Sequence, residues 1–578
     1  MNNYFWCAND WLTMEDDMGD HLNTHLRIYN GIKEVITSSD SPISKIQYIF
    51  YLSQDKIIRG VTLYPPLFFF TSASVNIIFH NPNLLVTRLA NMLYFILLIV
   101  SVYLIGKNVF GAAYGLLAAT LVSLYPSIVG MSRIYTLDFP LTCVSAFGIY
   151  CLIKTDYFTK LRESVIFGIV LGLGILIKGQ ILFFIIGPFL YAIIKSLWRS
   201  YGWGTKKVLL LIVNNALISL IIAGAISSIW WLPVFKDLQQ GFYEQFIISY
   251  TSRIKEAPGY IITSLMDLKI FSRDWLLAYV YFSLNNISPV LFGLFLLGLV
   301  VFLRLKSSGK GIIMAWMLVP YVLFTLFSVK KDRFFMPVYP SMVLISISLF
   351  YIIKNSKIKK ISIFILIGFA FFQMLFFSYY YRAFEVARRP KESSIFYIIT
   401  PMDNPRLIYD YPGGPKNFYE CTCINPHKSN IQSIAADLIK YIRQNRMNRN
   451  INVAILGIES VGGHNDFSLM YILKSSDSGV RFYSILEDNR NFPLVERDLF
   501  WKPLRLSAYD YVIALINEEK FAKISDRITV ARLQSLSSKF RLDYQDDYSL
   551  LDSWKVQPDN CRILLFKGRP NVKCPDSF

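Results

Sequence analysis

Residues 133–178 read RIYTLDFPLTCVSAFGIYCLIKTDYFTKLRESVIFGIVLGLGILIK, and their charge pattern decides the fold. Arg133 and Asp138 open the stretch, and an apolar run covers 138–153. Lys154, Lys160 and Arg162 fill the next gap, and a second apolar run over 164–178 ends at Lys178. Each run approaches the roughly 20 apolar residues that a bilayer crossing needs. Cytoplasmic loops are enriched in Lys and Arg, so the gap between the runs lies inside. Arg133, Asp138 and Lys178 then lie on the outer side.

The alternation extends in both directions. Candidate spans cover 84–106, 109–129, 138–153, 164–178, 180–196, 208–232, 285–303, 311–329, 335–353 and 361–379. Every second gap is basic: Lys107; Lys195, Arg199, Lys206 and Lys207; Arg304, Lys306 and Lys310; Lys354, Lys357, Lys359 and Lys360. The remaining gaps hold the long stretch 233–284 and Lys330-Lys331-Asp332-Arg333. The expected fold is an α-helical polytopic membrane protein with about ten transmembrane helices. No topology rule asks for charges on the outer face, so their presence there suggests an outward-facing active site.

Composition agrees. Mean hydropathy is +0.40, and 54% of the 578 residues are hydrophobic and 16% aromatic. The net charge of +19 raises nucleic acid as a partner. Much of that charge sits in short loops, so topology and contact with anionic membrane lipids explain it instead. Residues 1–60 hold no signal-peptide core although the alternation places them outside, so the expectation is that an upstream first span is missing. Leu63 to Phe79 (LYPPLFFFTSASVNIIF) is read as a helix lying along the outer surface or re-entering it, because Pro is tolerated at a first helical turn.

After Tyr381 the long apolar runs stop. Strand-like runs appear at 452–458, 480–486, 509–516 and 561–567, with helical patterns at 431–446 and 528–541 between them. Alternating signals of this kind indicate an α/β domain. The division expected is a first extracytoplasmic loop over 1–83, a membrane domain over 84–381 and an extracytoplasmic α/β domain over 382–578. Cys143 and Cys151 fall in a span and read as core, whereas Cys421, Cys423, Cys561 and Cys574 fall where disulfides are permitted.

Three clusters carry chemistry. Glu15-Asp16-Asp17 precedes Asp20, His21 and His25. An acidic triplet is usually a solvated loop, but here it precedes the interfacial stretch LRIYNGI. A carboxylate there can act as general base or hold a divalent cation. Asp17 and His21 are four apart and share one helical face. Arg133 and Asp138 form the second cluster, with a structural ion pair as its plainer account. Lys178 belongs beside it, or snorkels. Lys330, Lys331 and Arg333, running into FFMPVYP, form the third, and Lys and Arg are the usual partners of phosphate.

The order of these features resembles the GT-C membrane glycosyltransferases. An acidic outer loop is followed by YPPLFFF, TRL, SRIYTLDFPLT, GLGILIKG and KDRFFMPVYP, covering residues 10–350. The branch it resembles holds the bacterial protein O-mannosyltransferases, similar to dolichyl-phosphate-mannose-protein mannosyltransferases, and the lipid A aminoarabinose transferases. The resemblance implies a catalytic acid in the first outer loop, with Asp17 first, Asp16 second and Glu15 third. His21 supplies the family's His or Tyr four residues on. Tyr64 stands where the family has Lys or His before its PPL-like motif. Asp138 matches an LD position near the donor, with Arg133 beside it. Lys178 matches a TKG-like lysine, and Lys330, Lys331 and Arg333 match basic phosphate ligands.

The implied donor is a sugar on polyprenyl phosphate, facing outward across a bacterial-type plasma membrane. Basic residues would stabilise the leaving phosphate, Asp17 would activate or position the acceptor, and a single displacement would invert the anomeric centre. No cofactor is required, although a divalent cation fits the acidic loop. No Rossmann fingerprint or P-loop is present to hold a nucleotide sugar. A transporter or flippase of a lipid-linked saccharide is the alternative, and it calls for mid-membrane charges and repeated halves. A non-catalytic scaffold or sensor whose outer domain binds a ligand is a further alternative. The acceptor, whether protein hydroxyl, lipid A or cell-wall glycan, stays open.

Overall fold

The computed structural model describes residues 16–38, 64–80, 83–203, 206–242, 273–307, 309–326, 332–379 and 431–444. It also describes short strands between 452 and 568 and the single residues 3, 4, 7 and 473. Helix α1 (Asp16–Thr37) packs on α2 (Leu67–Ile78), and α2 packs on the long α3 (Leu84–Phe110). Asn83 starts α3 by accepting from the Val86 amide at 2.8 Å, the usual N-cap bond. The stretch after Pro65-Pro66 is helical, as its sequence suggests, and it buries Phe68, Phe69, Ser72, Ala73 and Asn76.

The run 109–129 is not one helix. It breaks into α4 (Ala112–Val122) and α5 (Pro126–Met131), because the Pro126 ring lacks an amide and ends the first helix's ladder. Next come α6 (Asp138–Lys154), α7 (Leu161–Ile175), α8 (Ile181–Trp203) and α9 (Lys206–Phe242). They are followed by α10 (Arg273–Ile287), α11 (Pro289–Arg304) and α12 (Lys310–Leu326). The run 335–353 is one continuous helical span, Arg333–Tyr351, in which a 3₁₀ segment Asp332–Val338 leads into α13 (Tyr339–Ser346) and a second 3₁₀ segment Ile347–Tyr351. Helix α14 (Ser356–Tyr379) closes the series. Among the described residues, five helices are long and apolar enough to cross a membrane, or six if a pair bent by 119° at 284–289 is one span. Cys143 and Cys151 are buried and free, as read.

Helices α7 and α9 approach unusually closely. A Cβ at Gly168 would stand 2.5 Å from the Ser219 carbonyl oxygen, and one at Gly172 would stand 2.8 Å from the Ile226 Cβ. Small residues four apart let helix backbones meet in this way. At the opposite end of α7 the turn from α6 is left-handed at three successive residues: Asp156, Tyr157 and Phe158 have φ of 47°, 58° and 64°. Such residues cost roughly 1–2 kcal/mol each, so bonds from elsewhere must hold them. Phe158 donates its amide to the Thr155 Oγ1 at 3.1 Å. Ser196 of α8 donates to the Tyr157 carbonyl at 2.9 Å, and Asn215 of α9 donates to the Phe158 carbonyl at 2.8 Å. Replacing Asn215 by Ala leaves that carbonyl buried without its donor, so a loss of roughly 1–3 kcal/mol is expected. A fluorescence melt in detergent would show it as a lower midpoint, and an unchanged midpoint would count against this anchor.

Beyond residue 430 the described chain forms α15 (Ile431–Gln444) and seven strands. These are β1 (Asn452–Gly457), β2 (Arg481–Ser484), β3 (Leu504–Arg505), β4 (Tyr511–Asn517), β5 (Leu542–Asp543), β6 (Tyr548–Val556) and β7 (Cys561–Gly568). Five make a mixed sheet in the order β2-β1-β4-β7-β6, with β2, β1 and β4 parallel and β7 and β6 antiparallel. The runs read as strands coincide with β1, β2, β4 and β7, and 431–446 coincides with α15. The helical pattern at 528–541 lies outside the described residues, as do Cys421, Cys423 and Cys574.

Candidate active site

Asp138 is the first residue of α6, where the helix's positive end favours a carboxylate. Lys178 sits in the tight turn after α7, its amide donating to the Gly174 carbonyl at 3.0 Å. Arg333 sits in the 3₁₀ segment that precedes α13. These three elements are far apart in sequence, yet their charges meet. The Lys178 Nζ donates to the Asp138 Oδ1 at 2.6 Å, and the Arg333 Nε lies 3.5 Å from the Asp138 Oδ2. All three side chains are less than a tenth exposed. Buried charges persist only when paired, and here one carboxylate holds two cations from different helices.

Aromatic rings wall the cluster. The Lys178 ammonium lies 5.6 Å from the centroids of both Tyr64 and Phe334, within cation–π range. The Tyr64 ring meets the His21 ring edge-on at 5.2 Å, and His21 also contacts Phe69 at 5.8 Å. Backbone contact ties these parts together, since the Leu67 amide at the foot of α2 donates to the Leu176 carbonyl at 3.1 Å. Behind Arg333, Phe335 packs against Tyr279 at 5.1 Å, and Tyr339 accepts a bond from Asn286 at 2.8 Å.

The structure thus gathers His21, Tyr64, Asp138, Lys178 and Arg333. Arg133 does not pair with Asp138: its Nε donates to the Asn3 Oδ1 at 3.0 Å, and Asn3 donates in turn to the Ser132 Oγ at 2.6 Å. The ion pair between Arg133 and Asp138 is therefore replaced by Lys178 and Arg333, whose side chains reach Asp138 from other helices. Asp16 and Asp17 stand in the first turn of α1, with only their backbone described; Glu15, Lys330 and Lys331 lie outside the described residues. Among the described residues no group of three His, Cys, Asp or Glu side chains is placed to hold a metal ion.

Phe334 was not singled out by sequence, although its position after three basic residues marks it. A second buried network also escaped notice. Asn76 donates to the His25 Nε2 at 2.7 Å and to the Thr87 Oγ1 at 2.8 Å. With Nε2 accepting, the His25 Nδ1 carries the proton toward the Ser72 Oγ at 2.8 Å. Ser72 also meets the Tyr135 hydroxyl at 2.5 Å. Burial lowers the His25 pKa from 6.5 to about 3, against an opposing bond to the Phe69 backbone, so the ring is neutral at neutral pH.

Comparison with known proteins adds two findings. The family model described as dolichyl-phosphate-mannose-protein mannosyltransferase matches residues 64–227, a stretch that holds Tyr64, Asp138 and Lys178. Among solved structures, the chain is similar to ArnT from Cupriavidus metallidurans bound to undecaprenyl phosphate. The TM-score is 0.54 at 14% identity, covering 97% of this chain and 96% of that one. The apo state of the same protein gives 0.52 at 12% identity, covering 99% and 97%. No curated protein matches the sequence. The chain has an ArnT-like membrane fold, and the resemblance to GT-C glycosyltransferases read from its motifs agrees with both findings.

Proposed function

We propose that this protein is an integral membrane glycosyltransferase that moves a sugar from a polyprenyl-phosphate donor to an acceptor on the extracytoplasmic face. The observation that carries the reading is the meeting of Lys178 and Arg333 on Asp138 inside an ArnT-like fold. Two basic groups at the end of the helices provide fixed positive charge where a leaving phosphate develops negative charge. Asp138 holds both in place, and Tyr64 and Phe334 exclude water from the Lys178 ammonium. The chemical step is attack by the acceptor on the anomeric carbon as the sugar–phosphate bond breaks. The acceptor's proton passes to Asp17, or to Asp16, in the first turn of α1. A single displacement inverts the anomeric centre.

In this reading about ten helices cross a bacterial-type plasma membrane, and residues 382–578 lie outside it. The acceptor is a protein, lipid or glycan. A divalent cation held by the acidic turn of α1 is compatible with the reaction and required by no step. The experiment is label transfer in membranes from a radiolabelled polyprenyl-phosphate sugar pool. Asp17→Asn is expected to lower transfer by roughly 10²–10⁴-fold at normal membrane levels, with Asp16→Asn losing less. Absence of transfer by every form, across several donor sugars, would favour a transporter or flippase instead.

A further inference from the structure

We propose that His25 is a positioning residue that fixes the register of α1, and through it the place of the acidic first turn relative to Asp138, Lys178 and Arg333. The proposal rests on the glycosyltransferase reading for its functional meaning and on the buried network for its geometry. His25 is fully buried, as are Ser72, Asn76 and Thr87. Its two ring nitrogens bond to two different positions on α2, Ser72 and Asn76. Asn76 carries the link on to Thr87 in α3, and Ser72 carries it to Tyr135, three residues before Asp138. Tyr135 is itself clamped, stacking on Phe68 at 4.7 Å, while Asn91 of α3 donates to the neighbouring Ile134 carbonyl at 2.7 Å. One imidazole therefore pins α1 to α2, α3 and the segment that presents Asp138.

The helix transmits that constraint. Residues 17, 21 and 25 are spaced by four and lie along one stripe of α1. His25 anchors the stripe, His21 meets Tyr64 beside the charged cluster, and Asp17 lies in the first turn. Eight residues of helix place Asp17 roughly 12 Å from His25. A helix is stiff over that distance, so a slip at the anchor moves the acidic turn by the same amount. Displacing a reacting group by about 1 Å lowers rate by ~100-fold. No apolar residue fixes an axial position as tightly, because apolar packing is not directional.

The test pairs activity with a distance. His25→Leu fills a similar volume and removes both bonds, Ser72→Ala removes one, and His25→Asn restores part of the pairing. Spin labels at the exposed positions Asn30 on α1 and Ser74 on α2 report the helix register in purified protein, without any substrate. His25→Leu is expected to shift or broaden that distance and to lower kcat by ~10–100-fold, with donor KM changing much less. Ser72→Ala should lie between His25→Leu and wild type, and His25→Asn should recover part of both readouts. A shifted distance in a protein whose wild type shows no transfer would uphold the anchor and sink the enzymatic reading. An unshifted distance in His25→Leu would overturn the proposal, whether or not kcat falls.

Discussion

A Lys178→Met variant is expected to lose transfer by roughly 10²–10³-fold, the usual loss when one stabilising donor is removed from a developing anion. Met keeps the length and apolar stem of Lys, so the cavity against Tyr64 and Phe334 stays filled. What disappears is the 2.6 Å bond to Asp138. The carboxylate is then left with Arg333 at 3.5 Å, and a poorly compensated buried charge destabilises by roughly 3–5 kcal/mol. Lower membrane levels are therefore expected alongside lower activity. The double variant Lys178→Met with Asp138→Asn separates the two effects. It removes the carboxylate's need for a second cation but leaves Arg333 without that acid, so a membrane level above that of Lys178→Met, with transfer still low, assigns the lost transfer to the missing ammonium. If the double variant recovers transfer as well, Lys178 serves only to neutralise Asp138. Lys178→Arg tests shape, because a planar fork replaces a point charge.

The second large effect concerns α7 and α9. A Gly168→Ala variant is expected to be severely destabilised, since its Cβ would fall 2.5 Å from a carbonyl oxygen and 2.9 Å from a Cα, both on the Ser219 backbone. No side-chain rotation relieves a clash with backbone, so the helices must separate. Overpacking of this kind costs ~1–3 kcal/mol and occasionally more, and Gly168→Val should exceed Gly168→Ala. Gly224 on α9 is the control, because nothing lies within 4 Å of a Cβ there. Thermal midpoints of Gly168→Ala and Gly224→Ala should differ by several degrees, and equal midpoints would refute the close contact. Activity should fall too, for α7 ends in the turn that holds Lys178. Trp231 of α9 lies against that turn, 3.4 Å from where a Gly179 Cβ would stand.

The site was legible in sequence because charges stand out against apolar helices. Asp138, Lys178 and Arg333 were each visible at a helix end, and the rule that sorts loops by charge put them on one face. That they touch was not legible. Nothing local says that Arg333, rather than Arg133, reaches Asp138. His25 stood in the first cluster, but its bonding was hidden for a similar reason, since its partners lie on α2 and, through them, on α3 and at Tyr135. Hydropathy also averages over breaks, which is why 109–129 read as a continuous span. In the sheet, β6 was missed because Asp552, Ser553 and Lys555 dilute its apolar signal. It lies at the sheet's edge, where one side of a strand is free to be polar.

The wide sequence spacing of the charged cluster sets an order for biosynthesis. Lys178 follows Asp138 by two helices, and Arg333 arrives only after α8 to α12. A ribosome therefore delivers the carboxylate's first counter-ion early and its second late. A nascent chain halted after α9 already contains both Asp138 and Lys178, the two residues of the 2.6 Å pair. Arg333 is the last of the three to be synthesised, together with Phe335 and Tyr339, which meet Tyr279 and Asn286 in the finished fold.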